Sequence, residues 1–251
     1  MQNVINQFEK INTIELLEEI QKREQSLQQS GTERIFEPNH ILEIYLYEFY
    51  CEHGNYKVVQ EGIHTAYNIL TERMYKRGDY EKAEEYIQTS LNYNCTDMET
   101  CELYIKILYK RQKWRKMIDT AFLFYPFCYT RKDIAFFYRT IGCYALETYQ
   151  AKLARMIYAY SNLFYKSVKA DEEIKYLNEA LEDEIPSYTL EELGAIIKKN
   201  SLPEQPKKET LGIVYKVAAM EQKENSNYAK FLFLSLYQLT QDEEIERYLK
   251  E

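Results

Sequence analysis

A chain of 251 residues with Lys+Arg 32 against Asp+Glu 40, 45% apolar and 29% charged, has the composition of a water-soluble globular protein of one or two domains and excludes a disordered one. Its longest uninterrupted apolar run, Ala121 to Tyr129, is nine residues long and contains Pro126, far short of the roughly 20 residues that span a bilayer, so no membrane association is expected. Only 7 Gly and 5 Pro punctuate the chain, too few for the turns of an all-β protein, so it reads as nearly all helix.

The first ten residues, MQNVINQFEK, show no basic start followed by an apolar run and no small-residue cleavage site, and the expected location is cytoplasmic. Residues 1–37 read as an N-terminal helical cap. Glu43 to Cys51 reads as a helix followed by a corner at Gly54-Asn55-Tyr56. The interval from Gly54 to Gly78 then reads as one shared helix of about twenty residues.

From His64 to Asp97 the pattern is a helix hairpin. Tyr67, Ile69, Leu70 and Met74 share one face; Arg77-Gly78-Asp79-Tyr80 turns the chain; Ala83, Ile87 and Leu91 follow at spacings of three and four. Gly78 supplies a positive φ, Asp79 caps the next helix, and Ala83 is small where two helices approach closely. One period later, over Met98 to Arg131, Cys101, Tyr104, Ile105 and Leu108 form a first helix and Met117, Ala121 and Phe124 a second. Gln112-Lys113-Trp114 takes the place of the corner, and Thr96-x-x-Glu99 reads as a capping box. A third copy follows after a short slip, with Ile141-Gly142 in its first helix and Ala154, Tyr158 and Ser161 in its second, but without the Gly-Asp-Tyr turn.

Downstream, Pro186, Pro203 and Pro206 interrupt the helices, and Thr189-x-x-Glu192 caps a short one between them. Leu211 to Lys223 and Tyr228 to Leu239 form another hairpin, turned by Asn225-Ser226-Asn227-Tyr228, and Thr240-x-x-Glu243 starts an acidic terminal helix. The segmentation is therefore a cap over 1–37, helix hairpins over 38–184, and a degenerate hairpin with a capping helix over 185–251.

The run Tyr75-Lys76-Arg77-Gly78-Asp79-Tyr80-Glu81-Lys82-Ala83 resembles the second half of a tetratricopeptide repeat, whose period is about 34 residues. The resemblance covers residues 40 to 165 and, more weakly, 210 to 245. It implies an all-α fold, an α/α superhelix of stacked antiparallel helix hairpins with about 10–12 helices. Residues 64 to 125 are also similar to the helical activator domain that follows DNA-binding modules in bacterial regulators, although no helix-turn-helix region precedes them here.

Charge is segregated along the chain. Residues 1–102 hold 9 basic and 19 acidic side chains, 103–170 hold 13 basic and 3 acidic, and 171–251 hold 10 basic and 18 acidic. The middle block also carries 17 of the 37 aromatic residues. Basic side chains interleaved with aromatics suit an acidic peptide or a single-stranded nucleic acid. A formal net charge of −8 disfavours the second. The competing expectation is that the aromatics fill the core and the acidic ends neutralise the basic block in place.

Catalytic signatures are absent: there is no Gly-rich phosphate loop, Gly-x-Ser-x-Gly turn or His-Glu-x-x-His helix. His40, His53 and His64 share a region with Cys51, but residues two apart on a helix face different ways, so neither a metal nor a cofactor is expected. Cysteines 51, 95, 101, 128 and 143 are odd in number, irregularly spaced and in helix-like segments, and read as free thiols. Paired carboxylates such as Glu84-Glu85 are assigned to polar helix faces or first turns.

The expectation is a non-enzymatic adaptor that holds a protein or acidic peptide on the concave face of the superhelix. The contact candidates are Tyr104, Lys106, Tyr109, Lys110, Arg111, Arg139 and Arg155. Two alternatives stand beside it: a regulatory module or partner of a bacterial transcription factor without its own DNA-binding domain, and a homo-oligomeric structural module pairing basic middle with acidic ends.

Overall fold

The computed structural model describes residues 7–28, 33–51, 54–182 and 188–250. It is all-α apart from one short strand pair, and consecutive helices pack on one another in two compact units, 1–113 and 114–251. No helix among the described residues is long and apolar enough to cross a membrane.

The first unit contains α1 (Thr13–Gln28), β1 (Arg34–Phe36), α2 (Ile41–Tyr50), β2 (Tyr56–Val58), α3 (Ile63–Arg77), α4 (Tyr80–Tyr93) and α5 (Met98–Lys110). Helix α1 packs on α3, where Leu16, Ile20, Ile63, Ala66 and Leu70 bury completely together with Phe8. Gly78 ends α3 with φ 80, and Asp79 accepts the N–H of Lys82 to start α4, as the sequence predicts. Ala83 is fully buried.

Upstream of α3 the expectation fails. Strands β1 and β2 pair in parallel, with Arg34 opposite Tyr56 and Phe36 opposite Val58, and α2 is the connection between them. The corner at Gly54-Asn55-Tyr56 is the entry to a strand, and the expected twenty-residue helix is the fifteen residues of α3. Phe36 stacks on Tyr47 of α2 at 4.3 Å between ring centroids, and both side chains are buried there. Three-residue strands carry too little alternation to register as a period of two.

The second unit contains α6 (Trp114–Phe124), a 3₁₀ turn (Tyr125–Phe127), α7 (Arg131–Glu147), α8 (Ala151–Phe164), α9 (Val168–Ala180), α10 (Leu190–Lys199), α11 (Lys208–Glu221), α12 (Ser226–Thr240) and α13 (Glu243–Lys250). Helix α7 packs on both α6 and α8, and α8 also packs on α9 and α10. At Gly142 a β-carbon would stand 3.2 Å from the Tyr158 ring, so the missing side chain sets how closely α7 and α8 approach. Helices α11 and α12 form the last hairpin, with α13 against α12.

One turn geometry recurs between helices. At positions 78, 112 and 149 the chain takes a positive φ, through Gly78, Gln112 and Tyr149. In each case the next N–H reaches back five residues, from Asp79 to Met74, Lys113 to Leu108 and Gln150 to Ala145, at 2.8 to 3.0 Å. The segment read from the sequence as a third copy turns with the same geometry at Tyr149, in residues that carry no Gly-Asp-Tyr signature.

Four local expectations are corrected. Asp97, not Thr96, caps α5, because its carboxylate accepts the N–H of Glu99 while Thr96 bonds to Asn94. Thr240 is the last residue of α12, and the Asp242 carboxylate accepts the N–H of Glu244 at the head of α13. Glu84 is buried rather than on a polar face. Of the five cysteines, Cys51, Cys95 and Cys128 lie outside helices, although all five are free thiols. The predicted cap of α10 is present, with Thr189 and Glu192 exchanging bonds. His53 and Pro186 lie outside the described residues.

Candidate functional site

The basic, aromatic block divides into side chains that face solvent and side chains used inside the fold. On α5, Lys106, Tyr109 and Lys110 are exposed and, at i, i+3 and i+4, share one face. The Lys110 ammonium lies 6.0 Å from the centre of the Tyr109 ring, and Lys106 stands 3.5 Å from the Glu102 carboxylate one turn back. Tyr104 is buried, and its hydroxyl accepts from Gln88 at 2.7 Å.

Arg111 turns the other way, to Glu84 on α4 at 2.7 Å and Glu81 at 3.5 Å, and Lys113 reaches the same Glu84 at 2.8 Å. A buried carboxylate between two cations is compensated where it sits, and those cations are held by it. In the second unit, Arg139 donates to the Tyr165 carbonyl and to Asn162, while Arg131 donates to the Leu163 carbonyl. Both guanidinium groups close the C-terminal end of α8, where the helix dipole favours a cation. Arg155 is buried and donates to Asn178 at 3.1 Å and to the Tyr188 hydroxyl at 2.7 Å. Of the seven sequence candidates, three form one exposed face, Tyr104 and Arg111 back it from within the first unit, and Arg139 and Arg155 belong to the packing of the second.

The aromatic cluster of the second unit holds a segment of the same chain. Tyr125, Tyr138 and Tyr160 donate their hydroxyls to the carbonyls of Gln205, Pro203 and Glu204 respectively, and Thr210 donates to Pro126 at 2.6 Å. The proline-interrupted linker is thereby fastened, carbonyl by carbonyl, to tyrosines of the aromatic middle block. Burial pushes the Tyr125 and Tyr138 hydroxyls well above the usual phenol range, so they stay protonated donors.

A buried polar ring joins α3, α4 and α5. The His64 imidazole meets Asp97 at 3.0 Å through Nε2 and Ser90 Oγ at 2.9 Å through Nδ1. Ser90 donates to Asn68 at 2.8 Å, Asn68 to Thr100 at 2.6 Å, and Thr100 back to Asp97 at 2.6 Å. The donor directions around this circuit are mutually consistent if His64 is an imidazolium and Asp97 a carboxylate. Burial opposes the charge on His64, but the bond and charge of Asp97, with help from the Ser90 carbonyl and Glu43, hold its pKa above the usual histidine value. Burial likewise opposes the charge on Asp97, and His64, Thr100 and the Glu99 amide outweigh it to hold the carboxyl below its usual value.

Ser90, His64 and Asp97 stand in the order of a hydrolytic triad, yet Ser90 has no solvent-accessible surface and its hydroxyl is taken up by Asn68. In this arrangement the three residues join helices. His64, Asn68 and Thr71, at spacings of four and three beside the apolar stripe of α3, were the visible trace of this ring in the sequence. No group of three or more His, Cys, Asp or Glu that could hold a metal ion occurs among the described residues. No protein-family description matches the sequence, and no curated protein matches it.

Proposed function

We propose that this protein is a non-enzymatic, tetratricopeptide-like interaction scaffold that holds an acidic protein segment against α5. The observation behind this reading is the exposed face formed by Lys106, Tyr109 and Lys110: two cations flank an aromatic ring on a rigid helix whose inner side is fixed by Tyr104, Arg111 and the polar ring. A carboxylate-bearing segment would meet both ammonium groups while an apolar side chain lies on the tyrosine ring, and the receptor would have little ordering to do on binding. The aromatic surface of the second unit serves this purpose less well, since its tyrosine hydroxyls are engaged by the chain's own residues 203–205.

The test is fluorescence anisotropy of a labelled Glu-rich peptide with the whole chain, at low and high salt. Binding that weakens with salt, and weakens roughly tenfold further in Lys106→Glu/Lys110→Glu with helicity unchanged, is the expected result. A peptide that does not bind, or that binds both proteins alike, removes the assignment.

A further inference from the structure

Cys51 and Cys95 are 44 residues apart in sequence, and their sulfur atoms lie 3.4 Å from each other. Both are partly accessible, whereas Cys101 and Cys128 are buried. We propose that Cys51 and Cys95 are a redox modification site, which hydrogen peroxide converts from dithiol to disulfide.

Three features of the structure support this. The first is that the sulfurs are held together rather than meeting by chance. Cys51 closes the last turn of α2, its N–H bonded to the Tyr47 carbonyl at 3.0 Å. Cys95 sits in the turn between α4 and α5, next to Asn94, which donates to Glu43 of α2 at 2.8 Å. The Glu43–Asn94 bond and the thiol pair thus connect the same two elements, and Asn94 also accepts from the backbone and hydroxyl of Thr96. The sulfurs need to close by little more than an ångström to reach the disulfide length of about 2.05 Å.

The second is that the pair shares its proton unequally. The hydrogen bond between the two sulfurs holds the Cys95 thiol below its usual value, despite burial and despite the nearby Glu43 carboxylate, and raises Cys51 far above its own. Arg34, whose guanidinium lies over the Tyr47 ring at 5.5 Å, favours the anion on both sulfurs. Cys95 is therefore the attacking thiolate and Cys51 the resolving thiol. The third is the contrast with Cys143, the other partly accessible cysteine, which burial and the charges of Glu147 and Glu173 push up to about 12.

The chemistry balances with one peroxide. The Cys95 thiolate attacks a peroxide oxygen, the O–O bond breaks, and the departing hydroxide takes up a proton to leave as water. The Cys51 sulfur then attacks the Cys95 sulfenic acid, the S–O bond breaks, and the hydroxyl leaves as a second water with the proton from Cys51. Two thiols lose two hydrogens and two electrons, and one peroxide becomes two waters.

The experiment treats the whole native chain with equimolar hydrogen peroxide, blocks the remaining thiols, and maps the digest by mass spectrometry without reduction. The expected product is one crosslinked peptide pair joining Cys51 to Cys95, lighter by two hydrogens and restored by dithiothreitol, with Cys143 still alkylated. In Cys51→Ser the same treatment should stop at a sulfenic acid on Cys95 that dimedone traps; in Cys143→Ser the crosslink should form as before. Absence of the crosslink in the unsubstituted protein, or oxidation of Cys143 as fast as Cys95, overturns the proposal, and neither readout depends on a variant folding.

Discussion

The Glu37 carboxylate accepts the backbone N–H of His64 at 2.6 Å across twenty-seven positions of sequence. Its other oxygen takes the N–H groups of Glu61 and Gly62 at 2.7 and 2.9 Å. The N-cap position of α3 is Gly62, with φ 78 and no side chain to close the helix, so a strand-end glutamate closes it from outside. Charge-assisted bonds at a helix N-terminus are among the stronger ones, and removing their acceptor strands buried donors. Glu37→Ala should therefore lower the unfolding free energy by roughly 3 kcal/mol, and Glu37→Gln, which keeps one acceptor oxygen, by about half as much. Urea unfolding of the three proteins measures this, and equal midpoints would show that water caps α3 as well as Glu37 does.

The ring around His64 makes stability depend on pH with a definite sign. A histidine raised above 6.5 in the folded protein binds more proton there than in the unfolded chain, so its contribution is complete below 6.5 and is lost as pH rises through the folded value. Glu43, raised from 4.5 mainly by burial, acts in the same direction from a lower starting point. Asp97, held below 3.8, has the opposite sign, and its contribution disappears only as pH falls through its folded value. Stability should thus be greatest on the acid side of 6.5, above the range in which Asp97 protonates, and decline as pH rises past 6.5, and Asp97→Asn should flatten that decline. Urea midpoints on both sides of that pH in both proteins supply the comparison, and a wild-type midpoint that rises with pH would contradict an imidazolium in the ring.

Much of the helical architecture was legible because its signals are local. Gly78, Asp79 and Ala83 act within a few residues of themselves, as do Thr189 and Glu192, and each does in the structure what its residue type suggests. The strand pair was not legible, because Arg34–Phe36 and Tyr56–Val58 are three residues long and meet across some twenty positions of sequence, where Phe36, Tyr47 and Tyr56 bring their rings together. The candidate site divides the same way. Charge clustering selected Lys106, Tyr109 and Lys110, which the fold leaves exposed on one helix, together with Arg111 and Arg155, whose partners Glu84 and Asn178 lie on other helices. Charge in a sequence shows where cations are, and only the packing shows which of them are already engaged.

The close approach of α7 and α8 rests on Gly142. A β-carbon there would meet the Tyr158 ring at 3.2 to 3.3 Å, and that ring is packed among Ala145, Ala154, Ala170 and Leu177 with little room to withdraw. Gly142→Leu should lower stability by about 3 kcal/mol through overpacking. Gly142→Ala should do much less, since its gain in helix propensity, about 1 kcal/mol, offsets most of the displacement. Thermal melts of both variants read the difference, and a leucine tolerated without loss would mean that the two helices separate easily.

The recurring turns predict a gain in stability rather than a loss. Gln112 and Tyr149 occupy with φ 55 and φ 62 the left-handed position that Gly78 fills in the first copy. For a residue with a β-carbon that conformation costs roughly 1–2 kcal/mol, while glycine's extra freedom in the unfolded chain costs about 0.5–1, so exchange favours glycine by the difference. Tyr149 is 98% exposed, so its ring surrenders almost no buried surface when removed. Tyr149→Gly and Gln112→Gly should each raise the unfolding free energy by roughly 0.5–1 kcal/mol, and Gly78→Ala should lower it by a similar amount. The two gains should add, because Gln112 belongs to the first compact unit and Tyr149 to the second. Chemical unfolding of the single and double variants decides the matter, and a double variant no more stable than the parent would mean that these turns bear no strain for glycine to relieve.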